Sequence, residues 1–152
     1  MSTLQTVPRE MALTVRDTCL CLHAQRAARV LARRFDEAFR PLGLTNGQFS
    51  LLMSLNRLEP PTLGSVASLL AMDRTTLTAA LKPLERRKLV RVAVDKEDRR
   101  SRRLILTEAG RNLLTKAVPI WKDEHAALEH ELASYPLDQL RAALRSISRR
   151  LH

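Results

Sequence analysis

The sequence predicts a mainly α-helical fold that carries one small β-hairpin. Apolar residues recur at steps of three or four along most of the 152-residue chain. Prolines, glycines and capping side chains cut that pattern into segments, and one stretch near Val90 switches to alternation of apolar and polar residues. A chain this long hides roughly 70% of its unfolded surface and needs no disulfide or metal to build a core.

The elements follow in order. Leu20, Ala24, Ala27, Leu31, Phe35 and Ala38 mark one long amphipathic helix from roughly residue 10 to Phe39, closed by Pro41 and Gly43. Thr45 with Gln48 three residues later makes a capping box for a second helix over Gly47 to Leu58, which Pro60 and Pro61 stop. Thr62 caps a short third helix through Val66, Leu69 and Leu70. Asp73 caps a fourth, with Leu77, Ala80, Leu81 and Leu84 as its apolar stripe. Pro83 removes the donor that would bond the Ala79 carbonyl, so a single helix with a bend is expected there. Val90, Val92 and Val94 alternate with Arg91 and Ala93, and Leu104, Ile105 and Leu106 answer them as the second strand of a hairpin. Thr107 caps a fifth helix through Leu113, Ala117, Trp121, Leu128 and Leu132, bent at Pro119. A last helix after Pro136 shows Leu137, Leu140, Leu144, Ile147 and Leu151 on one stripe. There is no internal repeat.

Composition narrows the function. Lys and Arg number 26 against 16 acids, a net charge of +10, which favours an anionic partner: nucleic acid first, an acidic membrane second. The first eleven residues are mostly polar and no apolar run approaches the 18 or so that span a bilayer, so a soluble, cytoplasmic protein without a membrane partner is expected. The aromatics Phe35, Phe39, Phe49, Trp121 and Tyr135 all lie outside the basic cluster, which disfavours base-stacking RNA modules. A chain with four glycines, no phosphate-cradling loop, no His-Glu-x-x-His and no nucleophile elbow is not read as an enzyme, and no cofactor is expected. His125 and His130 are five apart, off the spacing that lets two residues of a helix grip one metal. Cys19 and Cys21 are two apart in a helical pattern and point away from each other, against an intrachain disulfide.

Three short helices followed by a hairpin form the winged helix-turn-helix arrangement, in which the helix before the hairpin enters a major groove. That helix opens with Arg74, Thr75, Thr76 and Thr78, and Lys82 follows one turn on; guanidinium, ammonium and hydroxyl groups there suit base edges or phosphates. The competing reading is that the threonines only cap and cover a helix start. Between Arg86 and Arg103 stand nine bases against Asp95, Glu97 and Asp98, more than half of the net excess. The hairpin tip, about nine residues long, exceeds an ordinary turn and exposes Arg99, Arg100, Arg102 and Arg103 for a narrow minor groove, or else is a solvated mixed-charge loop. Asp98 is placed to pair with a neighbouring arginine and stiffen the tip, an exposed pair contributing about 0–1 kcal/mol. The apolar stripes of the terminal helices exceed what a DNA-reading unit of roughly sixty residues covers. They are expected to pack against a second copy, or on each other within one chain. A two-fold dimer reads a near-palindromic operator in double-stranded DNA, with half-sites about one turn apart.

The segments "DRTTLTAALKPLERRKLV" and "DKEDRRSRRLILTEAG" resemble the MarR family of bacterial transcription regulators: Leu84-Glu85, the Asp-x-Arg of Asp98 and Arg100, and the Leu-Thr-x-x-Gly of Leu106, Thr107 and Gly110. The resemblance covers nearly the whole chain in element order. It implies a homodimer held by residues 1–44 and 111–152 around a DNA-binding region of 45–110, with Arg100 in the minor groove and Asp98 orienting it. Lys88 departs from the glycine that usually ends the recognition helix in this family. A small phenolic or aromatic ligand is implied as well, for which His23, Arg26, Phe49 and Met53 are candidate contacts and equally candidate core or surface residues. Cys21 precedes Thr45 by 24 residues, which resembles the placement of the reactive cysteine in the family's organic-peroxide sensors. Those sensors surround the thiol with tyrosines where this chain has Gln25, Phe35 and Asn46. Support for a thiolate then falls to Arg26 or the helix backbone, and a small buried hydrophobe is the competing reading. The expected function is a homodimeric repressor released by a small ligand; the alternatives are a peroxide-sensing repressor using Cys21 and a non-specific nucleoid protein.

Overall fold

The long first helix is interrupted. In the computed structural model, which describes residues 6–149, α1 (Arg9–Thr18) and α2 (Leu20–Phe39) meet at Cys19, whose backbone is extended (ψ 110°). The cause is local. Thr14 and Thr18 turn their hydroxyls back onto the carbonyls of Glu10 and Thr14 (2.9 and 2.7 Å), a bond that bends helices. The Cys19 Sγ accepts the Leu22 N–H and so caps a new helix at the break.

A 3-10 turn (Arg40–Leu42) leads through Gly43, at φ +62°, into α3 (Asn46–Ser54). Thr45 and Gln48 form the expected reciprocal capping box. The helix stops at Ser54, short of Leu58: the Leu55 and Asn56 N–H groups tighten its end onto the Leu52 and Met53 carbonyls, and Leu58 is fully exposed. Then come α4 (Leu63–Leu69), capped by Thr62, and α5 (Arg74–Arg86), capped by Asp73. Leu69, expected on the core stripe of α4, is 59% exposed. Both α4 and α5 end in the same closing motif. A left-handed residue, Ala71 (φ 52°) or Lys88 (φ 58°), lets its own N–H and that of the next residue fold back onto the last turn, so Lys88 donates to the Glu85 carbonyl and Leu89 to that of Leu84.

Strand β1 (Val90–Val94) pairs antiparallel with β2 (Arg102–Leu106), in a register that sets Val90 against Leu106 and Val94 against Arg102. The seven residues between them make the tip, so Arg102 and Arg103 belong to the strand rather than to the loop. Alternating burial is clear in β2, where Leu104 and Leu106 are buried, but Val94 is half-exposed as the hairpin leaves the body. The Leu104 N–H donates to the Pro61 carbonyl, so the chain before α4 adds a short third edge.

Thr107 caps α6 (Glu108–Glu131), and α7 (Leu137–Arg149) follows. Pro83 and Pro119 sit inside uninterrupted helices. The core joins Phe39, Leu52, Val66, Leu77, Leu81, Leu84 and Leu104, so it lies directly under α5 and the root of the hairpin. Neither α1 nor α7 has a buried residue; Leu140, Leu144 and Ile147 are each about half exposed, and Leu151 lies outside the described residues.

Candidate nucleic-acid interface

Two elements present basic and hydroxyl groups on the side of the molecule away from the core. The first is α5. Its buried face is Leu77, Leu81 and Leu84, while Arg74, Thr75, Thr78 and Lys82 are exposed. Asp73 builds the helix start: its Oδ1 accepts the Thr76 N–H (2.7 Å) and its Oδ2 accepts the Thr76 hydroxyl (2.8 Å). Those bonds, the backbone one foremost, hold the Asp73 carboxyl below its ordinary range. Thr76 is thus a capping residue, whereas Thr75 and Thr78 hold no side-chain bond among the described residues.

The second element is the hairpin tip, and here the expected pairing of Asp98 with an arginine side chain is corrected. Its carboxylate forms no ion pair with an arginine among the described residues. Instead Oδ1 accepts the Arg100 backbone N–H (3.0 Å), and the Asp98 carbonyl accepts the Ser101 N–H (2.9 Å). With that oxygen taken by the backbone, Asp98 shapes the turn beneath Arg100 rather than gripping its head. Arg99 and Arg100 have no side-chain hydrogen bond among the described residues and are exposed. Arg102 donates to the Arg99 carbonyl (3.1 Å), bracing the tip from within. Arg103 is a strut: Nη1 donates to the Pro60 carbonyl (2.9 Å), and Nε lies 3.3 Å from the nearly buried Asp95 carboxylate. The Arg103 guanidinium holds Asp95 below the usual carboxylate range.

The residues singled out for sensing divide. An apolar cavity of about 450 Å³ between α3, α4 and α6 is lined by Phe49, Met53, Leu70, Val118 and Trp121, among others; His23 and Arg26 are not in its wall. His23 instead sets Nδ1 2.7 Å from the Cys19 carbonyl at the helix break. Cys21 is exposed, and its Sγ accepts the Gln25 amide (3.1 Å). Phe35 and Asn46 do not join it. Phe35 leans on Phe39, and Asn46 is held through its N–H and amide by Asp36 Oδ1 (2.7 and 2.8 Å), a link between α2 and α3. Sequence reasoning missed the aromatic stack that runs from Phe39 through Phe49 and Trp121 to His125, because only the pairing of α3 with α6 brings those residues together. It also missed Arg87, which donates to the Gly43 carbonyl (2.8 Å) and ties the end of α5 to the end of α2.

A helix with an exposed polar face, set over a trihelical core and followed by a two-stranded hairpin whose free arginines lie at its tip, is a winged helix-turn-helix. Comparison with known proteins agrees. A model of the MarR family matches residues 44–101. The organic hydroperoxide resistance transcriptional regulator of Bacillus subtilis is 30% identical over 133 residues, 88% of this chain and 89% of that protein. The regulator TtmR of Methylorubrum extorquens is 34% identical over 100 residues, 66% of this chain; the match spans about half of TtmR (51%). Among solved structures, the M. tuberculosis regulator MosR in complex with DNA superposes with a TM-score of 0.79 at 36% identity, covering 88% of this chain and 96% of that one. The chain belongs to the MarR family of winged-helix transcription regulators. Among the described residues no helix is long and apolar enough to cross a membrane.

Proposed function

We propose that the chain is a cytoplasmic, homodimeric repressor that binds a near-palindromic operator in double-stranded DNA. Residues 45–110 read the duplex, and residues 1–44 with 111–152 join the two copies. In this reading α5 enters the major groove with Arg74, Thr75, Thr78 and Lys82, and the wing sets Arg100 in the adjacent minor groove with Arg99 beside it. Arg102 and Arg103 keep the wing in place. The observation that carries the reading is that α5 and the wing tip offer unpaired cations from one rigid core. The likeness to MosR, solved with DNA, supports it.

The test is footprinting with the full chain on DNA flanking its own coding sequence. A protected near-palindrome, bound at least about 10³-fold more tightly than random duplex, is the expected result. Binding of equal strength to every duplex would instead identify a non-specific nucleoid protein. Arg100→Ala should weaken operator binding strongly, while Lys122→Ala on α6 should not.

Release is assigned to a small apolar or aromatic ligand in the cavity walled by Phe49, Met53 and Trp121. A second reading, in which Cys21 senses organic peroxide, is favoured by similarity to the B. subtilis hydroperoxide resistance regulator and by the amide donor of Gln25 at 3.1 Å from the sulfur. Operator affinity before and after organic hydroperoxide, in wild type, Cys21→Ser and Cys19→Ser, separates the two. Loss on oxidation that Cys21→Ser abolishes supports sensing, and unchanged affinity in all three removes it.

A further inference from the structure

The cleft between the wing and the start of α5 holds a contact that the fold does not require. It has a volume of about 220 Å³ and is lined by Thr62, Gly64, Arg74, Asp98, Arg100 and Arg102, among others. Three arginines thus line one opening that has a single acidic residue in its wall. That carboxylate is already committed to the Arg100 backbone N–H, and Arg102 to the Arg99 carbonyl. Arg74 is the first residue of α5 and is free to extend outward, yet its guanidinium folds back across α4 at Gly64. A Cβ placed on Gly64 would lie 3.0 Å from Arg74 Nη2 and 3.7 Å from its central carbon. Gly64 has no positive φ and sits inside α4, so backbone conformation does not call for glycine there. A Cβ there would meet no backbone, only the end of the Arg74 side chain, so the guanidinium is what would have to shift.

We propose that Gly64 is a positioning residue: its bare backbone lets Arg74 lie in the cleft beside the wing, so that Arg74 grips one backbone phosphate of bound duplex at the step between the major-groove helix and the minor-groove wing. The assignment rests on the DNA-binding reading above. It places Arg74 among the groups that fix register and leaves base reading to Thr75, Thr78 and Lys82. A planar arginine fork suits the oxygens of a phosphodiester that enters the cleft.

The experiment titrates operator and random duplexes at several salt concentrations with wild type, Arg74→Ala, Gly64→Ala and the double variant, with melting temperatures measured alongside. Each phosphate contact adds about 0.9 to the slope of log affinity against log salt. Arg74→Ala should lower that slope by about 1 and weaken operator and random duplex by the same factor. Gly64→Ala should reproduce both effects with an undiminished melting temperature, since alanine favours the helix, and the double variant should lose nothing further. A Gly64→Ala protein with wild-type slope and affinity overturns the positioning role. An Arg74→Ala protein whose discrimination collapses at one base pair overturns the phosphate assignment. A wild type that binds no duplex at low salt fails the DNA-binding reading itself and is told apart by that result.

Discussion

Asp95 and Arg103 face each other across the mouth of the hairpin, Oδ1 to Nε at 3.3 Å, while the same guanidinium donates to the Pro60 carbonyl at 2.9 Å. One arginine therefore fastens both strands of the wing to the segment that leads into α4. Without it the tip would still turn, because Asp98 shapes it locally, but the outer half of the wing would be held to the body only through the Leu104–Pro61 backbone bond and the buried leucines at its root. Asp95→Asn should reduce operator affinity more than Glu97→Ala does, although Glu97 belongs to the same tip and carries the same charge. Equal losses would mean that only the charge of the tip matters.

The same carboxylate gives a pH dependence. Asp95 is held low by Arg103, Asp73 by the Thr76 N–H, and Glu131 by Arg34, which also pairs with Glu124 to join α2 and α6. A carboxyl whose folded pKa is depressed binds fewer protons folded than unfolded. Its stabilisation is complete above the unfolded value of about 4 and is lost as pH falls through the lower folded value. Thermal melts should be flat with respect to these groups near neutrality and should fall steeply below about pH 4, less steeply in Asp95→Asn.

Lys88 occupies a left-handed position (φ 58°) that closes α5 through the Glu85 and Leu84 carbonyls. A side chain with a Cβ is strained there by about 1 kcal/mol relative to glycine. Lys88→Gly should raise the melting temperature by about 2–4 °C, as expected for a chain of this size. A lower melting temperature would show that the lysine stem has packing contacts that outweigh the backbone strain.

Gly110 is the opposite case. A Cβ there would fall well inside contact distance of the Leu89 carbonyl oxygen and 2.6 Å from Leu106 Cδ1. The first turn of α6 lies against the root of β1 at this point, and the single Thr107 hydroxyl proton is shared between the Lys88 and Leu89 carbonyls, 2.7 and 3.0 Å away. Gly110→Ala should destabilise by about 1–3 kcal/mol through overpacking, measured by denaturant unfolding. Unchanged stability would mean that α6 slides without cost.

These two residues also show where the sequence was readable. The Thr107 and Gly110 pair was legible as a motif because a cap and a close approach are local demands written in residue type, as were the caps Thr45, Thr62 and Asp73. Lys88 could be flagged as a departure, but whether the chain would accept the strain or end the helix elsewhere depended on Leu89 being buried. The break at Cys19 was hidden because no proline or glycine stands there, and only the backward bonds of Thr14 and Thr18 mark it. Arg102 and Arg103 read as two more basic residues of the wing. Their roles as brace and strut come from carbonyls at Arg99 and Pro60, and carbonyl positions are set by the fold rather than by residue type.

The terminal helices make the last prediction. Leu140, Leu144 and Ile147 repeat at three- and four-residue steps on α7 and stay about half exposed, and α1 leaves Met11, Leu13 and Val15 in the same state. Apolar surface of this kind calls for a cover, and the second copy proposed above would supply one under two-fold symmetry. Each substitution then occurs twice in the interface. Burying a leucine stabilises by about 1.5–3 kcal/mol, and a carboxylate in its place is left unpaired, so Leu144→Glu carries a doubled penalty. Sedimentation at micromolar concentration should find wild type as dimer and Leu144→Glu as monomer. The monomer should keep its melting transition, because Leu144 touches none of the core around Leu77 and Leu104, yet lose operator affinity by at least about 10²-fold, since only one half-site is then held. A Leu144→Glu protein that remains dimeric would move the interface off α7. A wild type that sediments as a monomer while protecting a full palindrome would remove the two-fold arrangement altogether.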